Sequence, residues 1–182
     1  MAGDVARLVA SIDAPGLHLE QLGDAHRERL GALCPADDPV WEIYPTSYAP
    51  DRFDASFAAM RADPNRRPFA LFACGVMVGM SGYLNIDPTN RVVEIGGTYL
   101  TPAARGTGLN RSIKLLLIDR AIDAGFDRIE FRIDVRNGRS IAAVEKLGAV
   151  REGVLRRQRV TWTGHVRDTV VYSILANEWL PK

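Results

Sequence analysis

The chain has 182 residues, 47% of them hydrophobic, which suits one domain with a sizeable core, and residues 1–182 are read as a single domain. Lys and Arg number 23 against 22 Asp and Glu, a net charge of +1, so there is no overall basic footprint for nucleic acid and any basic site is local. No apolar run is long enough to cross a membrane, Met1–Ser11 lacks the apolar stretch of a signal peptide, and Cys34 and Cys74 have no metal-ligand spacing, so the expectation is a cytoplasmic protein with reduced thiols, no metal and no membrane partner.

In chain order, residues 1–15 read as a loose or weakly helical leader, and the alternation of Leu17–Leu22 as a first strand. Asp24 is a candidate cap for a helix to about Leu33, followed by a structured loop over residues 34–48 rich in Pro and aromatic residues. Asp51–Arg61 places Phe53, Phe57 and Met60 on one helical face, and Asp63-Pro64-Asn65 breaks the helix. Phe69–Cys74 and Met77–Ile86 predict a hairpin about Gly75, with Cys74 as a small buried hydrophobe. A turn at Asp87–Asn90 leads into a long strand, Val92–Leu100. Leu109–Ala124 carries Ile113, Leu116, Leu117 and Ala121 on one face, widened by Leu115, Ile118 and Ile122, and predicts a largely buried helix that Gly125 stops. Arg128–Ala149 opens with apolar–charged alternation, a strand, after which Asn137 caps a helix that Gly148 ends. Val150–Leu155 is a strand, Trp162–His165 a turn, and Arg167–Leu175 a last strand that either pairs across a homodimer or closes the sheet within one chain.

The segment after the Val92–Leu100 strand says most about function. A Pro turn runs into Arg105-Gly106-Thr107-Gly108, which opens an apolar helix. Such a loop aims several backbone N–H groups at one spot beside the positive end of a helix dipole, a site for phosphate or pyrophosphate. A nucleotide P-loop needs Lys and Ser/Thr after its last glycine, and here Leu109, Asn110 and Arg111 follow instead. A dinucleotide fingerprint needs a third glycine where Arg111 stands. The loop resembles the acetyl-CoA pyrophosphate loop of the GCN5-related N-acetyltransferases, [Q/R]-x-x-[G/A]-x-[G/A], with Arg105 first and Gly108 fourth. Asn110 at the sixth position departs from that pattern, and the variant is similar to the RimJ/RimL-like group of ribosomal-protein acetyltransferases. Asn137-Gly138-Arg139-Ser140 through Lys146-Leu147-Gly148 is similar to the strand–helix unit that lies against the pantetheine arm in the same family. Together the two blocks span roughly the second half of the chain. A glycine-rich turn without a ligand is the alternative for either block alone.

The resemblance implies an α+β fold: a central, mostly antiparallel twisted sheet of six to seven strands, flanked by helices and split between the fourth and fifth. It implies an acetyl-CoA-dependent N-acetyltransferase that moves an acetyl group to a primary amine, on a protein N-terminus or a small molecule, by direct attack in a ternary complex. A non-catalytic acyl-CoA sensor and a transferase using another acyl donor are the alternatives. The cofactor is then expected at Tyr99, Leu100, Arg105, Gly106, Thr107, Gly108, Leu109, Asn110, Asn137 and Ser140. Arg111, Lys114, Arg136 and Arg139 add local positive charge, useful for CoA phosphates.

The resemblance also implies a bulge near the end of the fourth strand that frees backbone groups for pantetheine and the thioester; Gly96-Gly97 fits such a bulge, and the Leu100 N–H is then the candidate donor to the thioester oxygen. Glu94, a carboxylate in an apolar strand, is the candidate base, with solvent exposure or an arginine partner as its other reading; Glu42 is a weaker rival. Many relatives place a tyrosine where Val144 stands, and Ser140 is the other candidate near the sulfur. Trp41, Tyr44 and Tyr48, with Trp162, are candidate walls of an acceptor pocket and equally candidates for core. His18 and His165 have no nearby partner in sequence and read as structural or surface residues rather than catalytic ones.

Overall fold

The computed structural model describes residues 2–179. In chain order the elements are α1 (Val5–Leu8), β1 (Ile12–Ala14), β2 (Leu17–Gln21), α2 (Arg27–Ala32), α3 (Phe53–Ala62), β3 (Arg66–Ala73), β4 (Val76–Asp87), β5 (Val92–Leu100), α4 (Leu109–Asp123), β6 (Arg128–Asp134), α5 (Gly138–Glu145), β7 (Val150–Val160) and β8 (Val166–Leu175). The strands form one eight-stranded sheet in the order β1-β2-β3-β4-β5-β6-β8-β7. Every neighbouring pair is antiparallel except β5 and β6.

The sheet holds one strand more than the sequence reading. Ile12–Ala14 lies in the supposed leader and pairs with Leu17–Leu19. Three residues are too short to show an alternation. The leader is tied down by Leu8, buried, and by the Arg120 guanidinium of α4, which donates to the Arg7, Ala10 and Ser11 carbonyls. Cys74 departs from expectation as well. It sits with Gly75 in a two-residue turn, both at positive φ, and its thiol is exposed rather than buried.

Two apolar layers pack on the sheet. One joins α1, α4 and α5 through Leu8, Ile113, Leu117, Ile118 and Val144 to Phe69, Tyr83, Val93, Ile95, Phe131 and Ile133. The other covers the β2–β5 half only: Leu30 of α2, Phe53, Phe57 and Met60 of α3, and Trp41 and Tyr48 of the aromatic loop meet Ala70, Phe72, Met80 and Tyr99. Burying each large apolar side chain stabilises by about 1.5–3 kcal/mol, so these layers hold the sheet rigid beneath the site. On the uncovered half, β6 alternates Ile129, Phe131 and Ile133 into the first core with Glu130, Arg132 and Asp134 on the other side.

Two irregularities shape the centre. β5 and β6 pair only through Val92, Val93 and Glu94 opposite Arg128, Ile129 and Glu130, and beyond that point they splay apart. This is the split expected of the fold. In β5 the register against β4 steps from Tyr99 opposite Met80 to Gly96 opposite Gly82, a bulge at Gly97 and Thr98 with Gly97 at φ +61°. The bulge flips the strand's faces: Val93 and Ile95 share the first core with Leu100, whereas Tyr99 enters the second. The last strand, β8, is internal, with β6 on one side and β7 on the other. It therefore pairs on both sides within one chain, and β1 and β7 are the two edges of the open sheet.

Candidate active site

A cleft of about 740 Å³ runs through the splay. The loop at its mouth is built by backbone geometry. Gly106 and Gly108 have φ of +77° and +88°, and nothing lies within 4 Å of where a Cβ would stand on either. Gly108 is the N-cap of α4 and brings no capping side chain. The N–H groups of Gly106, Gly108 and Asn110 have no protein partner among the described residues and point from the positive end of a helix of 15 residues. Gly106, Gly108, Asn110, Arg111 and Arg139 line the cleft; the side chains of Thr107 and Leu109 do not. The Thr107 hydroxyl is turned to the Ala104 carbonyl, 2.9 Å away.

Arg105 lines the cleft but is committed elsewhere. Its Nε donates to the Leu100 carbonyl at 2.8 Å, its two terminal nitrogens clasp the Asp38 carboxylate, and the guanidinium lies over the Tyr99 ring. Burial pushes the Asp38 pKa up, but the bonds from Arg105 and from the Val40 amide outweigh it and hold the carboxyl below its ordinary value. This bidentate pair fastens the aromatic loop to the glycine loop. Tyr99 is fully buried on the far side of the sheet, donating to the Leu33 carbonyl and stacking on Trp41. Tyr99 is not among the residues that line the cleft; the bulge turns its side chain into the opposite core.

Leu100 faces the other way. The Thr101 N–H bonds to the Val78 carbonyl, so the adjoining pair Gly79 and Leu100 is a non-hydrogen-bonded one. The Leu100 N–H and C=O thus point away from β4, into the splay where β6 no longer pairs. Glu94 sits at the apex, 7% exposed, accepting from Asn85 Nδ2 at 2.6 Å with Arg132 3.8 Å away. Burial raises its pKa, opposed by Asn85 and Arg132. Glu94 is thus a buried carboxylate with a raised pKa, not a solvent-facing one, and it has an arginine beside it.

Asn137 and Ser140 of α5 line the cleft, with Asn137 Oδ1 capping the helix through the Ser140 N–H at 3.0 Å. Val144 is buried in the cleft wall and brings no proton. Of the aromatic loop, Tyr44 and Tyr48 line the cleft, and the Tyr44 hydroxyl donates to the Thr98 carbonyl in the bulge. Trp41 does not; it is core, 3% exposed, with its indole N–H on the Pro35 carbonyl. Trp162 also lies outside the cleft and donates to the Trp41 carbonyl, docking the β7–β8 turn on the loop. Glu42 is exposed and away from the cleft. His18 is paired after all, with Asp13 across the β1–β2 hairpin at 2.7 Å, far from the cleft wall.

Of the remaining cleft residues, Lys114 shows in the sequence only as local positive charge, and the arginines of the far side give no signal. Lys114, one turn inside α4, is 7% exposed with Nζ 5.3 Å over the Phe131 ring and no carboxylate partner among the described residues. Burial lowers its pKa to about 8. Arg66, Arg132, Arg159 and Arg167 line the far side. Their positions follow from strand register, which a single sequence does not print. No cluster of His, Cys, Asp and Glu able to hold a metal occurs among the described residues.

A mostly antiparallel sheet splayed between two parallel strands, with a glycine loop of open amides at the mouth of the splay and a bulge at its wall, defines an acyltransferase architecture. Residues 17–150 match the family described as acetyltransferase (GNAT) domain. The chain belongs to that family and is by membership an N-acetyltransferase. It is 30% identical over 176 residues, 95% of this chain and 91% of the relative, to "Putative ribosomal N-acetyltransferase YdaF" of Bacillus subtilis. A Chromobacterium violaceum protein described as a probable acetyltransferase of the GNAT family is 31% identical and superposes with a TM-score of 0.87, covering 98% of this chain and 96% of that one. RimJ of Mycobacterium smegmatis in complex with CoA-disulfide shares the fold at a TM-score of 0.77 and 22% identity, over 91% of this chain and 84% of RimJ. No helix among the described residues is long and apolar enough to cross a membrane.

Proposed function

We propose that the chain transfers an acetyl group from acetyl-CoA to a primary amine, on a protein N-terminus or a small molecule, by direct attack in a ternary complex. The observation that carries this reading is the Leu100 N–H, freed by register and aimed into the same cleft whose mouth holds the open amides of Gly106, Gly108 and Asn110. Those amides suit a pyrophosphate, with Arg111 and Arg139 adding charge. Lys114 faces the same cleft with no counter-charge. The glycine positions have room for a phosphate where any side chain would intrude. Acetyl-CoA, when bound, supplies the acetyl group as an activated thioester. Asn137 and Ser140 border the route of its arm. The Leu100 N–H, fixed before charge develops, stabilises negative charge on the carbonyl oxygen. Glu94, its pKa raised toward the working range, takes the amine proton directly or through water. The new C–N bond forms as the C–S bond breaks, and the sulfur leaves with the electron pair. Ser140 is the hydroxyl on α5 nearest in role to the leaving group, since Val144 has none to offer.

The RimJ complex with CoA-disulfide and the ribosomal name of the Bacillus relative support the cofactor and a protein N-terminus as one acceptor class. The test is thiol release from acetyl-CoA across a panel of amines, wild type beside Glu94→Gln. Acceptor-dependent release in wild type, reduced roughly 10²–10⁴-fold in the variant, is expected. Absence of release with every amine, or full activity in the variant, overturns the assignment.

A further inference from the structure

The acceptor end of the cleft carries an unbalanced positive charge. Arg105 and Arg136 are held by Asp38 and Asp134, and Arg132 by Glu130. Arg66 and Arg159 line the same cleft with no carboxylate partner among the described residues. Arg167 is 6% exposed; one terminal nitrogen reaches the Arg132 carbonyl, and its Nε is buried with no partner. Asp134 is committed to Arg136, and the Asp63 carboxylate accepts the Asn65 N–H. Asp134 and Glu94 both act on Arg167 through charge, and neither forms an ion pair with Arg66, Arg159 or Arg167 among the described residues.

Arg66 is the most informative of them. A Cβ built on Gly97 would stand 2.5 Å from its Nη2. One terminal nitrogen of the guanidinium therefore lies against the bulge, the stretch of β5 that leads to the Leu100 N–H, in space that exists because residue 97 is glycine. Beside it, the Tyr48 hydroxyl is buried and the Arg66 guanidinium is its neighbour, acting on it through both charge and a side-chain hydrogen bond too loose for strict geometry. Arg66 is half-buried and Arg159 exposed, so water reaches both, but the buried Arg167 with its unpartnered Nε lines the same cleft, and an anion entering there would complete it.

We propose that the acceptor amine carries a carboxylate a few bonds from its nitrogen, and that Arg66, with Arg159 and Arg167, binds that carboxylate while Glu94 faces the amine. This rests on the acetyltransferase reading of the cleft. The same chemistry is present in a free amino acid and in a peptide N-terminus followed by an acidic residue. It disfavours a polycationic acceptor, which the arginines repel.

Matched acceptors test it by thiol release: alanine against alaninamide, Ser-Asp-Ala against Ser-Asn-Ala amide, and spermidine as the cation. In wild type the carboxylate member of at least one pair has a kcat/KM about tenfold or more above its amide, carried by KM, as expected of a charge-assisted hydrogen bond. The pair that shows it names the source. Within Arg66→Gln the ratio falls toward one, and Arg66→Lys keeps part of it; Arg159→Gln gives a second, more exposed position. No carboxylate preference in wild type, a preference for spermidine, or a ratio unchanged in both Gln variants overturns the proposal. Calorimetry with N-acetylalanine and N-acetyl-Ser-Asp-Ala against their amides, with CoA present, reads the same site without turnover. Tighter binding of the anionic products in wild type but not in Arg66→Gln supports the proposal even if no acceptor turns over; equal affinities overturn it. Failure of acetyl-CoA to bind at all brings down the acetyltransferase reading instead.

Discussion

Replacing Lys114 by Met makes the protein more stable at neutral pH. The ammonium is buried against Phe131 with no carboxylate partner, and its pKa falls from 10.5 in the unfolded chain to about 8 in the fold. That difference corresponds to roughly 3 kcal/mol of destabilisation while the group is charged in both states. The sign is definite: the unfolded chain binds this proton more tightly, so the penalty is full below about pH 8 and is relieved as pH rises toward 10.5. A methionine of similar length fills the same space without the charge and forgoes the pull of the aromatic ring, about 0.5–1 kcal/mol. A gain of about 2 kcal/mol at pH 7 is expected, or roughly 4–8 °C in the thermal midpoint for a domain of this size. Urea unfolding of both proteins at pH 7 and near pH 10 reads it, with the gap shrinking at the higher pH. A Met variant no more stable at pH 7, or a gap independent of pH, refutes the reasoning. Acetyl-CoA affinity should fall in the same variant, because the charge that costs stability faces the cleft.

Asp38→Asn leaves Arg105 uncompensated. Unfolding measurements should show a loss of about 3–5 kcal/mol, the range for breaking a buried ion pair. Because the Asp38 pKa is held low, its contribution is present above the ordinary carboxylate value and lost as pH falls through the lowered one. The wild-type acid limb of a stability–pH profile should therefore flatten in the variant. The raised pKa of Glu94 predicts that wild-type kcat/KM falls as pH drops through a value above the ordinary carboxylate range; in Glu94→Gln that limb should vanish along with most of the rate. Gly97→Ala forces a Cβ onto Arg66 at a positive φ, and differential scanning should show a lowered midpoint, by about 1–3 kcal/mol of strain.

What the sequence made legible was whatever repeats locally. The alternation of Val92–Leu100, the apolar face of Leu109–Asp123 and the glycines of the anion loop each announce themselves within a dozen residues, and the structure places all of them as read. Gly96-Gly97 marked the bulge, but not its consequence. A bulge reverses which side chains face the cleft, and this put the Tyr99 side chain into the opposite core. The partner of Arg105 is 67 residues away, in a loop whose aromatic content drew attention to Trp41 and away from Asp38. Arg66, Arg132, Arg159 and Arg167 come from four strand positions that converge only once the sheet order is known, and that order is not sequential after β6. Lys114 was visible as a charge on an apolar helix, but its lack of a partner is a property of packing.

The most direct test of the whole account is thermal unfolding with and without saturating acetyl-CoA, wild type beside Gly108→Glu. Ligand at about 100 times its dissociation constant stabilises by roughly 2.7 kcal/mol, and the wild-type midpoint should rise by about 5–10 °C. Gly108→Glu, which puts a carboxylate into the open anion loop, should be folded and show no rise. A wild-type midpoint indifferent to acetyl-CoA, or an equal rise in the variant, would contradict the placement of the cofactor on which every catalytic role assigned to this cleft depends.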